Sequence, residues 1–107
     1  MLDTTGLIAT ADRFADRLRA APQSRLQRGA AAEALALARE LANRAQRIEE
    51  PGREPRIMPD AGVFAVADQL MVAAQDLAEA LRSAPDASRK MDEATALVRS
   101  AAGRSGL

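Results

Sequence analysis

The stretch from Ser24 to Ile48 constrains this chain more than any other. It runs SRLQRGAAAEALALARELANRAQRI, without a proline and almost entirely in strong helix formers. Ala30, Ala34, Leu37, Leu41, Ala45 and Ile48 recur at steps of three and four and form one apolar stripe. Ala31, Leu35, Ala38 and Ala42 form a second stripe beside it. Glu33, Glu40, Asn43, Arg44 and Arg47 are left for water, with Glu40 and Arg44 in the favourable i, i+4 order. The pattern predicts the longest helix of the protein, the one the others pack on. Ser24-x-x-Gln27 fits a capping box at its start. Gly29 is its weak point, costing about 1 kcal/mol against alanine, and is read as marking the close approach of another backbone.

The remaining elements follow from periodicity and from proline. Leu7, Ala11, Phe14 and Leu18 predict a helix over about 5–20, capped by Asp3, Thr4 or Thr5 and ended by Pro22. The connection to the long helix (24–48) is short, which predicts an antiparallel hairpin. Residues 49–59 hold three prolines and a glycine and predict a stiff loop, with Ile57 and Met58 tucked back onto the bundle. Asp60 is the expected cap of a third helix over 61–83, striped by Val63, Val66, Leu70, Ala74, Leu77 and Leu81. Pro85 separates it from a fourth over 87–102, capped by Asp86 or Ser88, with 103–107 as a frayed tail. The expected fold is all-α: one domain over 1–107, an antiparallel four-helix bundle of two proline-broken hairpins, open to dimerisation.

Phe14 to Pro22 aligns with Leu77 to Pro85 at five identical positions of nine. Duplication of a helical hairpin accounts for this, and so does the self-alignment of a composition rich in Ala and Leu.

Composition matters here because it limits the core. Twenty-six of the 107 residues are alanine, and only 25 are larger aliphatic residues, methionine or phenylalanine. Alanine buries little area, at roughly 25 cal/mol per Å². Helices must therefore approach closely through alanine faces, or a second chain must add core. The two central helices, expected to be much longer than the outer two, would overhang them. Both points favour a homo-oligomer, a dimer, or another partner protein.

The missing residues exclude much chemistry. There is no His, Cys, Tyr or Trp, so the usual general base near neutral pH, thiol nucleophiles and the commonest metal ligands are absent. No phosphate-binding glycine loop or calcium loop appears. The expectation is a non-enzyme with no cofactor and no metal. Net charge is zero, from 15 basic and 15 acidic residues, which argues against a general nucleic-acid or membrane-surface binder. No secretory leader and no apolar run near the ~20 residues of a membrane span is visible, so cytoplasm is the expected compartment.

Three features remain as candidate sites. The apolar surplus of Ala31, Leu35, Ala38, Ala42, Phe64, Met71 and Val72 is a candidate interface. Arg13, Arg17, Arg19, Arg25 and Arg28 flank the first turn and are a candidate patch for an anion or an acidic partner. Arg53 and Arg56 stand in the stiff loop, where pairing with Glu49, Glu50 or Glu54 is the plainer expectation. The leading functional expectation is a non-catalytic, self-associating protein-interaction module of otherwise undefined role. Its alternatives are a small nucleic-acid-associated regulator using the arginine elbow, and a small-molecule sensor with a pocket near Phe64 and Met71.

Overall fold

The computed structural model describes residues 2–107. Its elements are α1 (Thr5–Ala20), α2 (Gln23–Arg25), a π turn (Leu26–Ala30), α3 (Ala31–Glu49), α4 (Val66–Leu81) and α5 (Ala87–Arg104). The protein is all-α, and no strand occurs among the described residues. Four main helices enclose a core led by Leu7, Phe14, Leu18, Leu41, Leu70, Leu77, Leu81 and Val98.

α1 matches its expected range. Asp3 Oδ1 accepts the Thr5 N–H at 2.9 Å, which satisfies one free donor of the first turn. The helix buries Leu7, Ala11, Phe14, Ala15 and Leu18. Thr10 is buried too, and its hydroxyl donates to the Gly6 carbonyl at 2.7 Å.

The long helix is not continuous. Gly29 stands at φ 156°, ψ −23°, and the chain makes one π turn there before α3. The capping box at Ser24 does not form. Helical structure begins at Gln23, directly after extended Pro22, whose carbonyl accepts the N–H groups of Arg25 and Leu26. Proline thus supplies both the break and the restart. Gly29 marks no close approach, since a Cβ there would meet nothing within 4 Å. The glycine is needed for its torsions.

The third expected helix shortens at its start. Asp60 does not cap it; its carboxylate accepts the Gly62 N–H at 2.8 Å, closing a turn. Gly62 has φ 93°, which cannot continue a helix, and α4 starts at Val66. α1, α3, α4 and α5 then hold 16, 19, 16 and 18 residues. Their lengths are all about 24–28 Å, so the expected overhang is absent.

Residues 50–65 form the connection between α3 and α4, and it folds back along α3. The Gln46 amide donates to the Arg56 carbonyl (3.0 Å) and accepts the Arg56 N–H (2.8 Å), as a paired strand would. Arg39 Nε donates to the Met58 carbonyl at 2.8 Å, and Gln69 Nε2 to that of Pro59 at 2.9 Å. Met58 packs on the core as expected, whereas Ile57 points outward, 76% exposed.

This return path sets the helix directions. Val63 and Val66 lie beside Leu35, Asp76 beside Gln46, and Leu77 and Leu81 beside Ile48. α3 and α4 are therefore parallel, which corrects the expected antiparallel arrangement. A 16-residue connection reaches up to about 50 Å, ample for the ~28 Å return that parallel neighbours require. Arg19, late in α1, pairs with Asp68, early in α4, at 3.0 Å, so these two run antiparallel. Glu33 pairs with Arg104 and Arg44 with Glu93, spaced alike along both helices, so α3 and α5 run antiparallel as well. The main packed pairs are α3 with α4, α1 with α4, α1 with α5 and α3 with α5. Among helices consecutive in the chain, α3 and α4 pack directly, whereas α1 lies across the bundle from α3 and α4 from α5.

The C-terminus is also more ordered than expected. α5 continues through Gly103 and Arg104. Ser105 donates its N–H to the Ala101 and Ala102 carbonyls, and Gly106 at φ 74° turns the chain away. Leu107 packs back on the core.

Candidate functional site

The second stripe of α3 is largely covered within the chain. Leu35 and Ala38 are buried, and Ala31 and Ala42 are half-buried. α4 and the returning loop provide this cover, so Leu35 and Ala38 are core residues and leave the candidate interface. Met71 is half-buried against the core. Phe64 and Val72 are the expected interface residues that remain outside, at 78% and 54% exposed. Phe64 lies two residues before α4, and Val72 about two turns into it. Ile57, which sequence reasoning assigned to the core, joins them. It borders the same groove as Asp76, one turn beyond Val72. Only the outward course of the loop reveals this, because the sequence around Ile57 has no periodicity to orient it.

The elbow arginines meet different neighbours. Arg13 donates to the Thr10 hydroxyl at 3.2 Å. Arg19 is tied to Asp68 (3.0 Å) and Asp16 (3.4 Å), and the Asp68 bond foremost raises its pKa above the ordinary arginine value. Arg17 is exposed on α1. Arg25 and Arg28 face a different neighbour, the end of α5, where they border a hollow of about 280 Å³ with Arg104 and Glu33. Arg13 and Arg19 thus have partners within the chain, while Arg25 and Arg28 share one hollow.

Arg53 and Arg56 pair with Glu50, at 3.1 and 3.3 Å, as the plainer expectation held. The bond from Arg56, then that from Arg53, holds the Glu50 carboxyl below its ordinary value.

A further concavity lies between the C-terminal halves of α3 and α4 and the start of α5. It encloses about 500 Å³. Ile48, Pro51 and Pro85 form apolar walls over Leu77 and Leu81. Its rim carries four cations, Arg44, Arg47, Arg89 and Lys90, against Glu40 and Glu93. Arg44 bonds Glu40 at 2.9 Å and Glu93 at 3.5 Å, while Arg89 bridges Asp86 and Glu93. Residues from three helices and two loops meet here, so sequence proximity could not reveal it. The expected pocket by Phe64 and Met71 does not form at those residues; the nearest hollow runs along Leu26, Leu35 and Val63 instead.

Among the described residues no cluster of three or more carboxylates is placed to hold a metal ion, and no helix is long and apolar enough to cross a membrane. No known protein family, curated protein or solved structure matches the chain.

Proposed function

We propose that this protein is a non-catalytic helical interaction module that associates with a second copy of itself through the outer side of α4 and the adjoining loop. The observation that carries this reading is the exposure of Ile57, Phe64 and Val72, at 76%, 78% and 54%. A chain with only 25 large apolar residues in the sequence leaves three of them in water on neighbouring segments. Spread along α4 and its adjoining loop, these side chains are the ones a helix–helix contact on this side would cover. Zero net charge supports self-association, because two copies meet without net repulsion. The acidic partners of Arg19 within the chain, Asp16 and Asp68, weaken the basic face that the nucleic-acid reading needs.

Size-exclusion chromatography with light scattering is the test. The expected outcome is a concentration-dependent dimer that Phe64→Ser with Val72→Ser converts to monomer, with unchanged helical circular dichroism. A wild-type monomer at every concentration would refute the reading.

A further inference from the structure

We infer that the cleft between α3, α4 and α5 is a binding site for a small amphipathic carboxylate, an aliphatic body ending in a single anionic head. Three observations support it independently of the proposed self-association surface. The first is shape. The cleft holds about 500 Å³, within the ~300–1,000 Å³ typical of small-molecule sites. Pro51 and Pro85 bound it, and the Arg44–Glu93 pair spans the adjoining α3–α5 groove, so a long partner helix finds no continuous channel.

The second is charge. Four cations face two glutamates along the rim, and with Asp86 paired to Arg89 beside it an excess of one positive charge remains in a chain that is neutral as a whole. Glu40 and Glu93 are already engaged by Arg44 and Arg89. Among the described residues, Arg47 and Lys90 enter no ion pair. Lys90 is the only lysine in the chain, and it is half-buried. Its ammonium and the exposed Arg47 guanidinium are available to an anionic head, and the partial burial of Lys90 strengthens its bond relative to one in open water.

The third is polarity. Ile48 is half-buried and Pro51 and Pro85 are exposed, so apolar wall area stays open to a ligand beside the free cations. Neither a bare anion nor a neutral hydrocarbon would use both halves of such a cleft.

The experiment titrates the full chain with decanoate below its micellar concentration, following Ile48 and Lys90 by NMR, with 1-decanol, acetate and phosphatidylglycerol vesicles as parallel arms. The expected result is saturable shifts at Ile48 and Lys90 with decanoate, and binding about tenfold or more weaker for acetate and for 1-decanol. Arg47→Gln with Lys90→Gln should reduce decanoate affinity by a similar factor while helical circular dichroism stays unchanged. If that variant does not fold, the wild-type shifts decide alone. Equal binding of decanol overturns the role of the cations, and equal binding of acetate overturns that of the walls. Shifts centred on Phe64 and Val72 would assign the ligand to the outer surface and overturn the site. Binding to vesicles without binding to monomeric decanoate would overturn it in favour of a membrane surface.

Discussion

Two residues show how local chemistry decides this structure. Gly29 is the first. Its torsions lie outside those an L-residue adopts readily, and the space around it is open. Gly29→Ala should therefore destabilise the protein by about 1–3 kcal/mol through backbone strain alone, measured by urea denaturation. An unchanged or increased stability would mean that the helix straightens at no cost, as a helix propensity scale alone would suggest. Glu50 is the second. Its carboxyl is held below the ordinary value of 4.5, first by Arg56 and then by Arg53. A depressed folded-state value contributes stability that is present above 4.5 and lost as pH falls through the folded value. The Glu50 carboxyl carbon, followed by NMR, should titrate below 4.5 in the folded protein, and Arg56→Gln should move that midpoint upward.

At the scale of elements, the connection between α3 and α4 is the informative piece. Its prolines and glycine predicted the absence of regular structure, and the structure shows none beyond isolated turns. The sequence did not show that it is held by side chains of the helices it follows. Gln46 contributes two bonds to the Arg56 backbone, and Arg39 and Gln69 one each to the next carbonyls. Gln46→Ala should cost about 1–2 kcal/mol and should increase proteolysis near Arg53 and Arg56 well before global unfolding. Uniform protection of that segment in the variant would show that Arg39 and Gln69 suffice. α4 illustrates the opposite limit. Val63 fits its apolar stripe, so periodicity extended the helix to Ala61. One positive-φ glycine outweighed the stripe, because no hydrophobic gain restores a helical torsion at Gly62.

For the whole molecule, the decisive feature is that the packed neighbours come from different halves of the chain, while α1 lies across from α3 and α4 from α5. α1 is antiparallel to α4, and α3 to α5, while α3 and α4 are parallel. A two-fold axis exchanging α1 with α4 and α3 with α5 agrees with these directions, but it would also make α1 pack on α5 as α3 packs on α4, and the latter contact is much the more extensive. The aligned segments Phe14–Pro22 and Leu77–Pro85 also place equivalent residues in the core, since Phe14, Leu18, Leu77 and Leu81 are all buried. Any amphipathic helix buries its apolar stripe in this way, so duplication and coincidence of composition both account for the match. The same arrangement resolves the shortage of large side chains. Ala34, Ala38, Ala74 and Ala94 are fully buried, so helices close on alanine instead of on a second chain's residues. Ala38→Leu should therefore destabilise the protein by about 1–3 kcal/mol through overpacking, seen as a lower thermal midpoint. A neutral or stabilising effect would reveal slack between α3 and its neighbours.

The sequence by itself determined the helical class, the breaks at Pro22 and Pro85, the course of α1 and α5, and the apolar faces of α3 and α4, because each depends on contacts within a few residues. Helix direction, the cover over Leu35 and Ala38, the outward turn of Ile57 and the cleft beneath Arg47 and Lys90 were decided only by tertiary structure. They depend on where the residues 50–65 return to the bundle, and that path is fixed by side chains far away in sequence.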